Sequence, residues 1–229
     1  MKYRAIFFDR DGTLTYFNKE KELWRDSIIC SWSGHPFSLS YEKMMKLFYV
    51  SSEGKKPWYT NLEDERAFFK RYYRNMLINE GVQVDLDYRS NLLFYELWCN
   101  NDRLLFPETV DVLEYFYKSG YKMGVISDTS PSLEYSLYQL GISKYFTSFT
   151  ASSLVGVGKP NPLIYTAALD AQGVTASESL YVDDCELEAE GARKLGFTSF
   201  YLDRNSSSSD SFTVNNLHML IDFVERISD

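Results

Sequence analysis

From about residue 107 onward the chain alternates helix-like and strand-like segments, and this restricts the fold more than any other feature of it. Helical patterns at 108–118, 131–139, 161–171, 186–195 and 215–227 are separated by strand-like runs: KMGVIS at 122–127, a short segment near 147–150, SLYVDD at 179–184 and FTSFYL at 197–202. Strands joined through helices form right-handed crossover units, so the expected class is α/β with a mostly parallel sheet. An earlier apolar run at residues 3–8, rich in Ile and Phe, reads as a buried strand of the same sheet.

Residues 16–103 break the alternation. They are crowded with aromatics (Trp24, Trp32, Trp58, Phe68, Phe69, Tyr72, Tyr73, Trp98), show no clear strand, and carry helical patterns at 63–81 and 86–100. The expected organisation is therefore a core of 1–15 and 104–229 with a helical insert at 16–103. The insert leaves directly after the first strand, so it is expected over the crevice at the carboxyl ends of the strands, in the position of a lid. Its aromatics read as packing rather than as a ligand cage, and Ser206–Ser209 reads as a flexible surface loop.

At 229 residues with 45% hydrophobic content the chain can bury a substantial core. A net charge of −8 argues against a nucleic-acid partner, which calls for a basic face. No apolar stretch approaches the roughly 20 residues needed to span a bilayer, and the AIFF run is too short for a signal peptide. Three cysteines without a CxxC spacing (Cys30, Cys99, Cys185) and two histidines make a zinc site an unfavourable reading. The expected protein is soluble and cytoplasmic, with no membrane partner.

Four features fall at strand ends or helix starts: Asp9-Arg10-Asp11-Gly12-Thr13, Ser127 followed by Asp128, Lys159 within GVGKPNP, and Asp183-Asp184. Together they supply what phosphoryl transfer needs. Asp9 can attack phosphorus and form an aspartyl-phosphate. Asp11, two residues on and on the same side of an extended chain, can protonate the leaving oxygen and later activate water. Asp9, the Asp11 carbonyl and Asp184 can hold Mg²⁺. Ser127 and the backbone N–H groups after Asp9 can bind phosphoryl oxygens, and Lys159 offsets the mutual repulsion of the acids. A phosphate-binding P-loop around Lys159 fails, because Ser153 and Pro160 stand where Gly and Ser or Thr are required. Arg10 reads equally as a substrate contact or as the partner of an acid, while Arg25, Lys19 and Lys21 read as a solvated face.

These motifs, in this order, resemble the haloacid dehalogenase-like superfamily of hydrolases. DRDGT matches its first motif, ISDT resembles the second, GKPNPLIYTAAL the third, and YVDDCELEAEGARKLG the fourth. The resemblance implies a Rossmann-like three-layer core, an inserted α-helical cap of the C1 type and an Mg²⁺-dependent aspartyl-phosphate mechanism. It also implies Asp9 and Asp11 as catalytic residues; Ser127, Asp128 and Lys159 at the phosphate; and Asp9, Asp11 and Asp184 at the metal, with Asp183 as an indirect or alternative ligand. The chain departs from the pattern in carrying Asp128 for a common Asn, Glu188 for a common Asp or Asn, and Asp183 for a common Gly or Glu.

Asp11 narrows the chemistry further, since the family's dehalogenases lack it and its phosphonatases have a small residue there. The leading expectation is a phosphatase acting on a small phosphorylated metabolite. A phosphomutase of the β-phosphoglucomutase kind and a non-catalytic binding or regulatory module on the same fold stand as alternatives.

Overall fold

The computed structural model describes residues 2–53, 59–206 and 211–227, so Trp58 and Ser207–Ser209 lie outside the described residues. The chain divides into two units, one of Met1–Tyr16 and Leu105–Asp229 and one of Phe17–Leu104. In chain order the elements are β1 (Ala5–Phe8), β2 (Thr15–Phe17), α1 (Lys19–Ser33), α2 (Tyr41–Ser51), α3 (Leu62–Asn79), α4 (Leu86–Leu97), β3 (Arg103–Leu105), α5 (Thr109–Lys118) and β4 (Lys122–Ser127). They continue with α6 (Leu133–Gln139), β5 (Ser148–Ala151), α7 (Ser152–Val155), α8 (Pro162–Gln172), β6 (Ser179–Asp183), α9 (Glu186–Lys194), β7 (Thr198–Leu202), β8 (Thr213–Val214) and α10 (His218–Arg226).

In the first unit six strands form one parallel sheet in the order β5-β4-β1-β6-β7-β8. Side chains alternate across a strand, and β1 shows the consequence residue by residue. Ile6 and Phe8 join Val112, Phe116, Leu137 and Val224 from α5, α6 and α10 on one face. Ala5 and Phe7 join Ile164, Ala168 and Ala192 from α8 and α9 on the other. Helices thus cover both faces, giving the three-layer α/β core that the alternating sequence predicts.

The order also fixes where a site can form. β1 lies between β4 and β6, with Phe8 level with Val125 on one side and Val182 on the other. The carboxyl ends of these three adjacent strands are therefore side by side, where an open α/β sheet binds ligands.

The second unit is built mainly of α1–α4. α1 and α2 are absent from the sequence reading. Asn18 caps α1 by accepting from the Glu20 N–H, and Ser40 caps α2 by accepting from the Lys43 N–H. α1 buries only Ile29, so it presents no apolar stripe to read. The predicted 86–100 helix stops at Leu97 because Trp98 is extended. Two short strands, β2 and β3, pair with each other where the chain passes between the units; they too are too short to leave a period. Phe68, Tyr72, Tyr73 and Trp98 are buried, and the rings of Phe48, Phe68 and Tyr72 lie 5.0–6.1 Å apart, as a packed aromatic core would place them.

Candidate active site

Asp9 is the residue that follows β1. Its N–H still donates to the Val182 carbonyl at 3.0 Å, so the sheet sets its position, and its side chain is buried. The chain then folds back: the Leu14 and Thr15 N–H groups donate to the Arg10 carbonyl, and the Gly12 N–H donates to the Thr15 carbonyl. Gly12 takes φ of +87°, and a Cβ there would lie 2.0 Å from Asp184 Oδ2. Only glycine admits both the conformation and the neighbour. Arg204 braces this turn from the far end of the chain, donating to the Thr13 carbonyl at 2.8 Å and the Gly12 carbonyl at 3.3 Å, and to Glu108 at 2.6 Å.

Lys159 stands two residues before Asn161, which caps α8 by accepting from the Leu163 N–H. The Lys159 N–H donates to Asp128 Oδ1 at 2.9 Å, so Asp128 anchors the loop that carries the lysine. The Lys159 ammonium donates to Asp9 Oδ1 and Asp183 Oδ2, each at 2.7 Å, and also lies 2.7 Å from Glu188 Oε2. Its side chain is 2% exposed, so one buried cation serves three acids. Asp183 is fully engaged: Oδ2 also accepts from the Tyr181 hydroxyl, and Oδ1 accepts from the Cys185 N–H at 2.8 Å. Asp184, by contrast, is exposed beside Gly12.

The electrostatics follow from this crowding. Burial pushes the Asp9 carboxyl well above its usual range; Lys159 pulls it back and Asp183 pushes it up again. Partial desolvation and then Asp183 raise Asp184, although its side chain is exposed, and burial raises Glu188 against the pull of Lys159. Burial by itself would lower the Lys159 ammonium, but Tyr181, Asp9, Asp183 and Glu188 more than offset it and hold it well above its ordinary value.

Carboxylate oxygens of Asp9, Asp183 and Asp184 lie within 4.8 Å of one another. With Glu188 they set four acids against one ammonium. An all-oxygen cluster with surplus negative charge is the donor set of a hard divalent cation, so these residues fit Mg²⁺.

Asp9, Asp11, Ser127, Asp128, Lys159, Asp183 and Asp184, the seven residues singled out in the sequence, all line one pocket of about 190 Å³, along with Cys185 and Glu188. Asp11 accepts from Arg10 Nε at 3.1 Å, Arg10 Nη2 at 2.8 Å and Thr15 Oγ1 at 2.9 Å. Sequence reasoning left Arg10 undecided and did not find Tyr181, Thr15 or Arg204. Tyr181 is the exception that a signal could have found: it precedes Asp183 by two residues on the same strand, hence on the same face.

Comparison with known proteins places the chain in one family. Residues 3–196 match the family model described as haloacid dehalogenase-like hydrolase. The chain is similar to a glyceraldehyde 3-phosphate phosphatase of Methanocaldococcus jannaschii, with 24% identity over 98% of each chain. It is also similar to a phosphoglycolate phosphatase of Vibrio parahaemolyticus, with 26% identity over 96% of each. Among solved structures, a 2-haloacid dehalogenase from Pseudomonas syringae superposes with a TM-score of 0.68 at 19% identity, covering 98% of this chain and 99% of that one. At that identity the likeness speaks for the fold. The chain belongs to the haloacid dehalogenase-like hydrolases.

Proposed function

We propose that this hydrolase is an Mg²⁺-dependent phosphatase that cleaves a small phosphorylated metabolite through an aspartyl-phosphate on Asp9. The observation that carries the reading is the buried Lys159 ammonium holding Asp9 Oδ1 at 2.7 Å, with Asp11 two residues on in the same pocket. The phosphatase relatives support it, since each is matched over nearly the whole chain. In the first step an Asp9 oxygen bonds to phosphorus while the ester P–O bond breaks. The leaving oxygen keeps the bonding pair and takes a proton from Asp11. In the second, water attacks phosphorus, Asp11 accepts its proton, and the Asp9–phosphorus bond breaks to release inorganic phosphate.

Lys159 orients Asp9 and offsets its charge, and Ser127 with the N–H groups after Asp9 offers donors to the phosphoryl oxygens. Asp9, the Asp11 carbonyl and Asp184 would hold Mg²⁺, which when bound neutralises charge between the carboxylate nucleophile and the phosphate. We assign Asp184 rather than Asp183 as the direct ligand, because the Asp183 oxygens already accept from Lys159, Tyr181 and the Cys185 N–H. The inserted unit Phe17–Leu104 is assigned as the family's helical cap.

The test is phosphate release from p-nitrophenyl phosphate and a panel of phosphorylated metabolites, with Mg²⁺ and with EDTA. Mg²⁺-dependent release that vanishes in Asp9→Asn is expected, and the best substrate identifies the metabolite class. Release that persists in Asp9→Asn would overturn the mechanism.

A further inference from the structure

Arg10 stands between the nucleophile and the acid/base residue, yet it is absent from the pocket that both of them line. Its side chain turns into the protein and is nearly inaccessible, at 4% exposure. There all three nitrogens of its guanidinium donate hydrogen bonds. Nε and Nη2 grip the two oxygens of Asp11 at 3.1 and 2.8 Å, in the forked geometry that a planar guanidinium offers a carboxylate. Nη2 also donates to Thr129 Oγ1 at 3.0 Å, and Nη1 to Ser136 Oγ at 3.1 Å. Ser136 Oγ in turn donates to the Leu133 carbonyl at 2.7 Å, so it is oriented to accept from Arg10. Thr129 belongs to the loop after β4 and Ser136 to α6, so the guanidinium is fixed by two elements remote in sequence from Asp11.

This arrangement excludes a substrate contact for Arg10 and gives it another task. An exposed aspartate samples several side-chain rotamers, only some of which direct an oxygen toward a given leaving group. Asp11 is about one-third exposed, and Arg10 and Thr15 both hold its carboxylate. We propose that Arg10 is a positioning residue for proton transfer: it holds the Asp11 carboxyl group in the orientation from which the leaving oxygen is protonated. The inference rests on the phosphatase reading and deepens it. Arg10 forms no bond to the substrate. The proton still passes from Asp11 to the ester oxygen as the P–O bond breaks, and Arg10 sets how often Asp11 is aimed correctly when it does.

The step that depends on Arg10 is therefore the one that a good leaving group does not need. An alkyl alkoxide must be protonated as it departs, whereas p-nitrophenolate leaves without a proton. The experiment compares kcat/KM, which reports the steps up to formation of the phospho-enzyme, for p-nitrophenyl phosphate and for the best alkyl phosphate of the metabolite panel. General acid catalysis contributes about 10²–10⁴-fold, so losing its aim forfeits part of that. Arg10→Met is expected to lower kcat/KM for the alkyl phosphate about tenfold more than for p-nitrophenyl phosphate. Arg10→Lys keeps the charge without the fork and should show a smaller selective loss.

Because Arg10→Met removes a buried cation, the double variant Thr129→Val/Ser136→Ala serves as the second probe. It leaves Arg10 and Asp11 in place and loosens only the outer anchors, and the same selective loss in weaker form is expected. Equal losses on both substrates across these variants, or no loss on either, would overturn the assignment. Failure of the wild-type enzyme to hydrolyse either substrate would instead overturn the phosphatase reading, and the assignment with it.

Discussion

Replacing Gly12 by alanine tests how the turn after β1 and the acids proposed to hold Mg²⁺ depend on each other. Two costs can be worked from the structure. At φ of +87° an added Cβ is strained, which for a non-glycine residue costs about 1–2 kcal/mol. The same Cβ would lie 2.0 Å from Asp184 Oδ2 and 2.3 Å from its Cγ. Taking about 3.5 Å as ordinary contact, the carboxylate must withdraw by about 1.5 Å. Asp184 is exposed, so it can swing aside at little further cost in stability, but it then leaves the oxygen cluster shared with Asp9 and Asp183. In a chain of this size 1 kcal/mol shifts the melting temperature by about 2–4 °C, so Gly12→Ala should melt about 2–8 °C lower. With Asp184 as the proposed ligand, its displacement should raise the Mg²⁺ concentration for half-maximal activity about 10–100-fold. The assays are a thermal melt and phosphate release as a function of Mg²⁺. A folded Gly12→Ala protein with an unchanged Mg²⁺ requirement would refute the reasoning. So would full additivity with Asp184→Asn, because two changes acting through one carboxylate should not add.

Lys159→Met leaves Asp9, Asp183 and Glu188 without their shared cation. It should cost about 3–5 kcal/mol at neutral pH in urea melts and abolish turnover, and a cost under about 1 kcal/mol would contradict the central role given to this ammonium. Arg204 and Glu108 give a pH-dependent prediction. Burial pushes the Glu108 carboxyl up, but Arg204, helped by the backbone N–H groups of Glu108 and Leu217, outweighs burial and holds it below its ordinary 4.5. A carboxyl depressed in the folded state stabilises fully above its unfolded value and loses that contribution as pH falls through the folded one. The stability gap between wild type and Arg204→Met should therefore be full at neutral pH and narrow below about pH 4.5, as followed by urea melts. A gap that stays constant with pH would mean that Arg204 stabilises only through the Gly12 and Thr13 carbonyls.

What could be read from the sequence and what could not divide along physical lines. KMGVIS at 122–127 is a strand over the whole run, because five of its six residues are buried and an interior strand must be apolar throughout. α1 left no comparable trace: it buries only Ile29, and its caps use residue types that serve turns equally well. β8 consists of Thr213–Val214 and exists by pairing with β7, a tertiary fact that no local pattern encodes. The acids and Lys159 were legible because each sits at a strand end or a helix start, positions that the alternation already fixes. Arg10 and Arg204 were not, since the anchor of Arg10 on Ser136 lies 126 residues on and the contact of Arg204 with Gly12 lies 192 residues back.

The charges explain why so much of the site is devoted to holding acids still. Asp9, Asp183, Asp184 and Glu188 face the single ammonium of Lys159, while Arg10 and Asp11 offset each other. Without a further cation the acids outnumber the one ammonium, and a phosphate dianion entering the pocket would be repelled by those that are ionised. Burial weakens screening, so salt alone cannot remove that barrier. The arrangement supports the proposal that the site's affinity for an anion depends on a cation. The two acids of the fourth motif are placed differently: Asp183, occupied with Lys159, Tyr181 and the Cys185 N–H, helps fix the ammonium beside Asp9, and Asp184 is left facing the pocket. Two adjacent aspartates with the same chemistry differ in surroundings because one is the last residue of β6 and is buried, and the next lies beyond it and is exposed.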